Sequence, residues 1–304
     1  MITHIKSAIM FTNFFIGRAM LEVFIRPRPI KRLLKGKLIK KALKSYTKKA
    51  AHTNISAEMS KEPSYIIWQY WEQGLDNAPD IVKACVNSVE KYKNGNKHIV
   101  LDKTNVKEYA NIPEHIWEKY DKGLIPPANM SDIIRTYLLA KHGGIWVDAT
   151  VLFTENLPQY IIDADLFLFQ NYLKTDLDGL NIASYFIGAK KNNELILRMK
   201  EFIELYWKEN SRSIHYFMHL HAFTQLTQET PELKEQFAKV PFFGFMSVQH
   251  LGKELLNQYD EKRWEQLKKI SPIHKLSWKQ KVLNRSNTNP DGTYLEKLLK
   301  QELF

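Results

Sequence analysis

The chain has almost no cysteine. Cys85 is the only one in 304 residues, so an internal disulfide framework is excluded and a reducing compartment fits. Neither a C-x-x-C nor an H-E-x-x-H pattern occurs, which removes the usual grounds for a structural or proteolytic zinc site. Uninterrupted apolar runs are also missing. Residues 8 to 25 are rich in Met, Phe, Ile and Leu, but Arg18 and Glu22 break the stretch, making it a poor spanning helix. Phe11, Phe14 and Phe15 share the face of that charged pair, so it is not a clean amphipathic helix either. No small-x-small cleavage site follows it, and we expect an uncleaved segment lying on a membrane surface. There is neither an internal repeat nor a low-complexity tract.

Acidic residues are absent from one long stretch. Residues 26 to 49 hold eleven Lys or Arg and no Asp or Glu, which equals the whole net charge of +11. The remainder is therefore close to neutral. A basic N-terminal arm over 1–60, meeting anionic lipid or nucleic acid, is the expectation, followed by a domain over 61–304. A hydrophobic content of 44%, with 12% aromatic, is enough for a substantial core.

From about Lys61 the pattern becomes α/β. Tyr65 to Trp71 reads as a buried strand, and Pro79 to Tyr92 as a helix with Ile81, Val82, Cys85, Val86 and Val89 at helical spacing. His98 to Leu101 is a second strand. Such alternation predicts a parallel sheet whose strand ends receive ligands. Short helices follow near Asn105–Tyr109 and Ile112–Tyr120. Further strands are expected at Asp165–Gln170 and Asn181–Ala189, and a strong helix at Glu194–Lys208. A mainly helical remainder should break near Pro241–Gly244 and Ser286–Gly292.

The most informative stretch runs from Ser131 to Thr150. Asp132 and Arg135 are three apart, on one face of a helix. Lys141 and His142 suit the helix end, and Gly143 can supply a left-handed cap. Gly144 then opens an apolar strand, Ile145-Trp146-Val147, ending at Asp148-Ala149-Thr150. The block places a charged pair, a tight turn and a strand-end carboxylate where all can face one crevice.

These residues resemble the S-D-x-x-R…G-G-x-[YW]-x-D-x-[DT] region of sugar transferases with a DXD-type motif. The Ile-Trp before Asp-Ala-Thr is most similar to the bacterial capsular polysaccharide synthesis family. Pro272 to Lys279 resembles that family's H-K-L-x-[YW]-K segment. The resemblance implies a GT-A type fold, a mainly parallel sheet between helices with a helical C-terminal portion. It also implies a glycosyltransferase that moves a hexose, with retention, from a nucleoside diphosphate sugar to a cell-surface polysaccharide precursor.

In that family context, Asp148 would hold Mg²⁺ or Mn²⁺ against the diphosphate. Thr150, standing where many relatives have a second Asp, would be a weak ligand, and His274 would complete the shell. Asp132 would accept hydrogen bonds from hexose hydroxyls, with Arg135 holding it and the sugar-phosphate end. Trp68, by its Ile-Trp pattern, would stack on the base, with Gln69 beside it. Lys275 and Lys279 would neutralise the diphosphate. Of the cluster His215, His219 and His221, His219 or His221 would meet the acceptor, although core histidines are the plainer expectation. The acceptor would be a glycan or lipid-linked glycan on the cytoplasmic face of a bacterial plasma membrane.

Two rivals stand beside this. A sugar-phosphate transferase would use the same sheet and carboxylate. A basic nucleic-acid-binding protein would use the charge, but the excess is confined to one segment and no nucleic-acid motif follows it, so we expect no nucleic-acid partner.

Overall fold

A computed structural model of the chain describes residues 2–24, 28–170, 180, 182–279 and 291–304. Two long helices come first, α1 (Ile2–Phe24) and α2 (Arg28–His52). An α/β body follows: β1 (Ile66–Tyr70), α3 (Asp80–Lys91), β2 (Lys97–Leu101), α4 (Val106–Tyr109), α5 (Glu114–Asp121), α6 (Pro127–His142), β3 (Gly144–Val147) and β4 (Val151–Phe153). Next come α7 (Gln159–Asp163), β5 (Leu166–Gln170), β6 (Ile182–Ala189), α8 (Glu194–Glu209), α9 (Met218–Leu226) and α10 (Pro231–Ala238). The chain ends with α11 (His250–Glu254), α12 (Glu261–Ile270), β7 (Ile273–Lys275) and α13 (Tyr294–Leu299). The expected break at Pro241–Gly244 is irregular; the one at Ser286–Gly292 lies mostly outside the described residues.

The main sheet has the order β2-β1-β3-β6-β5. β1 pairs with β2 and β3 in parallel, while β6 is antiparallel to both β3 and β5. Four strands thus point one way and β6 alone runs back, so the sheet is mixed. Strand alternation divides the core in two. Trp68, Trp146 and Leu168 pack on the side of α6, α8 and α9. Ile67, Ile145, Val147 and Phe167 face the opposite layer.

The glycine pair Gly143-Gly144 fixes how β3 enters. Gly143 (φ 68°) closes α6 through its N–H to Leu139 O at 2.9 Å, the cap expected from sequence. A Cβ on Gly144 (φ 97°) would stand 2.4 Å from the Ile66 carbonyl oxygen. Only glycine lets β3 slide this close to β1.

The basic segment is not a free arm. Ile39, Leu43, Tyr46 and Ala50 recur at helical spacing along α2 and are buried in the same cluster as α8 and α9. Tyr46 Oη donates to Glu209 at 3.0 Å and Thr47 Oγ1 to Glu229 at 2.8 Å. A boundary at residue 60 therefore cuts through packed structure. Charge density hid an apolar stripe. Among the described residues no helix is long and apolar enough to cross a membrane.

Candidate functional site

α6 carries Asp132 and Arg135, and β3 ends one residue before Asp148. α6 begins with Pro127 in its first turn and is buried along most of its length, so its charged pair cannot be a solvated one. The side chains of Arg135 and Asp132 are 7% and 12% exposed and lie 3.0 Å apart, Nη1 to Oδ1. The same guanidinium donates from Nη1 to Ser184 O at 2.7 Å and from Nη2 to Asp148 Oδ1 at 3.2 Å. Arg135 also lies over the Trp146 ring, 5.0 Å from its centroid, and Trp146 Nε1 donates to Asp148 Oδ1 at 2.9 Å. One planar cation thus bridges two carboxylates, a role lysine's single ammonium cannot reproduce.

Asp148 is anchored through its backbone as well. Its N–H donates to Tyr185 O on β6 at 2.8 Å, and its carbonyl accepts from Val151 N–H at 2.9 Å. That turn starts β4, which pairs antiparallel with β7, Val151 opposite Lys275. The short two-stranded ladder brings a residue 127 positions downstream to the site. Lys275 Nζ stands 3.6 Å from Asp148 Oδ2 and donates to Thr150 Oγ1.

The electrostatics follow from burial and neighbours. Burial pushes the Asp148 carboxyl up, but the charges of Arg135 and Lys275 and the Trp146 hydrogen bond outweigh it, holding the group below its ordinary value. Asp132 goes the other way. Burial raises it to about 6, Arg135 offsetting part of this and the Asp148 charge adding to it. His219 is buried, with Nδ1 3.7 Å from Asp132 Oδ2. Desolvation lowers it to about 3, so it stands beside Asp132 as a neutral ring.

Asp132, Arg135, Asp148 and Lys275 floor an open cleft of about 890 Å³ at the carboxyl ends of β1 and β3, where a parallel sheet receives its ligands. Of the sequence-expected residues, the cleft brings together Asp132, Arg135, Asp148, Thr150, Lys275 and Lys279. Its walls include Trp71, Tyr185, Tyr216, Phe217 and Trp278. Trp71 and Trp278 meet edge to face, centroids 5.5 Å apart.

Five residues singled out in the sequence are not in the cleft. Trp68 is 1% exposed, donates from Nε1 to Gly143 O at 2.9 Å, and packs between Tyr109 and His142. It sits mid-strand facing the helices; the strand end belongs to Tyr70 and Trp71, which line the cleft. Gln69 is fully buried, its Oε1 2.8 Å from His98 Nε2 and its Nε2 donating to the Asp148 carbonyl at 3.4 Å. It supports the strand end and touches no ligand space. His274 alternates with Lys275 along β7 and so points away, buried against Thr154 and Trp264; desolvation lowers it to about 4. His219 and His221 are likewise buried outside this cleft's wall, while their neighbours Tyr216 and Phe217 line its mouth.

The expected metal shell is therefore not formed. His274 faces the core, the Thr150 hydroxyl is engaged by Lys275, and Asp148 is flanked by two cations and an indole N–H. Among the described residues no group of three or more His, Cys, Asp or Glu is placed to hold a metal ion. Of the three expected ligands, Asp148 and Thr150 stay at the cleft and His274 does not; Arg135 and Lys275 bring positive charge beside Asp148.

Residues 24–298 match the family model described as capsular polysaccharide synthesis protein. The chain belongs to that family. No curated protein matches the chain. Among solved structures it is weakly similar to one titled "PaToxG Glycosyltransferase", at 13% identity and a TM-score of 0.38, covering 90% of this chain and 95% of that one. A likeness this weak says nothing about the cleft or its chemistry.

Proposed function

We propose that this family member is a glycosyltransferase of GT-A type that moves a hexose from a nucleoside diphosphate sugar to a glycan or lipid-linked glycan. The expected place of work is the cytoplasmic face of a bacterial plasma membrane. One observation carries the proposal. Arg135 and Lys275 converge on Asp148 at the strand ends, with a second carboxylate, Asp132, held by the same guanidinium.

A nucleotide sugar presents a flat base, two phosphates and a ring of hydroxyls. The Trp71–Trp278 corner offers aromatic faces for the base, where stacking contributes about 1–3 kcal/mol. Lys275 is tied to Asp148 by a single ion-pair contact and can swing to the diphosphate, with Lys279 beside it at the cleft edge. Asp132, ionised above about pH 6, accepts hydroxyl hydrogen bonds from the hexose. Such preorganised charges act where negative charge grows on the departing phosphate.

In our reading the anomeric configuration is retained. Arg135 holds Oδ1 of both floor carboxylates, which favours same-face attack over a carboxylate nucleophile. The acceptor oxygen bonds to the anomeric carbon on the face that the diphosphate leaves. The anomeric carbon–phosphate oxygen bond breaks, and the acceptor proton passes to the leaving phosphate oxygen. No step is assigned to a metal ion.

The test is a thermal-shift panel of nucleotide sugars on the full chain, with and without Mn²⁺, followed by product analysis with the best binder. A donor at a hundred times its Kd should stabilise the fold by about 2.7 kcal/mol. Sugar released or transferred without its phosphate supports the proposal; a sugar phosphate in the product would favour the sugar-phosphate transferase. If no nucleotide sugar moves the melting temperature, the proposal is wrong.

A further inference from the structure

α1 and α2 form an antiparallel hairpin. Lys31 Nζ reaches Glu22 at 2.9 Å, and Gly17 packs on the Leu38 side chain. α1 turns Phe14 inward, with Met10 and Phe11 partly buried. The other side of α1 carries a row of apolar residues too, beside the exposed Thr12 and Asn13. Ile9, Ile16, Met20 and Val23 follow at steps of seven, four and three residues, one face of a helix, and are 54–70% exposed. A water-facing helix ordinarily carries polar residues there.

α2 presents a different outer row. Lys37, Lys40, Lys41, Lys44 and Lys48 share the side opposite the buried Ile39, Leu43, Tyr46 and Ala50, and all five are exposed. None of the five makes an ion pair among the described residues. At the hairpin end of α2, Ile30 and Leu33 are exposed as well, 50% and 41%. No residue of α1 or α2 lines the cleft.

We infer that the outward faces of α1 and α2 are a docking surface for an anionic lipid bilayer: Ile9, Ile16, Met20 and Val23 enter the headgroup region while the lysine row meets lipid phosphates. Charge complementarity selects this occupant. A nucleic acid would satisfy the lysines but leave the apolar row in water. A second copy would bring lysine row near lysine row. An interface with apolar depth and anionic headgroups satisfies both rows at once, and no spanning helix is needed. The inference deepens the proposed acceptor assignment, since a lipid-linked glycan is met at such a surface, but the docking itself needs no donor and no turnover.

The test is sedimentation of the full chain with vesicles of phosphatidylcholine alone and of phosphatidylcholine mixed with phosphatidylglycerol, at low and physiological salt. Two variants separate the rows: Ile16→Ser with Met20→Ser, and Lys37→Gln with Lys40→Gln, Lys41→Gln and Lys44→Gln. All six positions are solvent-exposed, and unchanged melting temperatures would confirm intact folds; Met20→Ser alone is the fallback if a multiple variant fails to fold. We expect binding to the anionic vesicles only, weakened by salt, and at least about tenfold weaker partition for each multiple variant. Wild-type-like sedimentation of a folded variant would overturn the inference. So would absence of vesicle binding by the wild type, or lipid-free self-association abolished by Ile16→Ser with Met20→Ser. Because vesicle binding is read without nucleotide sugar, a failed docking surface and a failed transferase assignment give different results.

Discussion

Arg135 shows how much one side chain's shape decides. Its guanidinium meets Asp132, Asp148, Ser184 O and the face of Trp146. We expect Arg135→Lys to keep the charge yet lower donor turnover at least about a hundredfold, as loss of one preorganised electrostatic contact does. Turnover kinetics on the folded variant check this; an unchanged kcat/KM would refute the bridge's role. A second residue-scale expectation concerns pH. Asp132 is raised to about 6, whereas Asp148 is held low and His219, at about 3, stays neutral. As pH falls through about 6, Asp132 gains a proton and loses its capacity as a charged acceptor. The kcat/KM profile should therefore drop on its acid side near pH 6, and Asp132→Asn should remove that limb from whatever activity remains. A limb unchanged in Asp132→Asn would assign the ionisation elsewhere. At this scale the sequence is partly legible. The block from Asp132 to Asp148 reads directly, because helix spacing and the strand end leave little freedom. Trp68 and His274 mislead for one shared reason: neighbours along a strand point to opposite sides. Choosing Trp68 for the base overlooks that the strand ends at Tyr70, which leaves Trp68 among the helices and puts Trp71 in the cleft. Along β7 the same alternation parts His274 from Lys275.

Elements are more legible than side chains. The apolar periodicities over 65–71, 79–92 and 194–208 each mark a strand or helix found within a few residues of its expected ends. What periodicity does not show is direction. That β6 runs against its neighbours, and that β4 and β7 pair across 120 residues to deliver Lys275, follow from tertiary packing. The turn into β3 gives a sharp prediction. Gly144→Ala would put a Cβ 2.4 Å from the Ile66 carbonyl oxygen at a φ of 97°. The strain alone costs about 1–3 kcal/mol, before any parting of β1 and β3. We expect urea unfolding to show a loss at the upper end of that range or beyond, with the midpoint shifted. A variant as stable as the wild type would mean that the backbone approach is looser than described.

For the whole molecule, the basic N-terminal stretch matters most. Its composition reads as an appendage, yet one face of α2 is core. Ile39, Leu43, Tyr46 and Ala50 pack with α8 and α9, and truncating a buried Ile or Leu to Ala costs about 2–5 kcal/mol. Removal of residues 1–24 should therefore leave a folded protein that still binds its donor, while removal of 1–52 should yield an unfolded or aggregating one. Circular dichroism and thermal melting of the two truncations decide it; a cooperative melt for the shorter protein would restore the free arm. The molecule thus has one body, with a cleft on the sheet's carboxyl edge and a helical hairpin elsewhere on its surface. The central claim concerns that cleft: Asp148, poised between Arg135 and Lys275, serves the chemistry and not the packing. Its most direct test is the rate of nucleoside diphosphate release from the preferred nucleotide sugar, wild type against Asp148→Asn, both shown to be folded by their melting curves. The amide keeps an oxygen for Arg135 and Trp146 but loses the charge, so we expect release to fall by about 10²–10³ with the melt nearly intact. Release at the wild-type rate from folded Asp148→Asn would contradict the account.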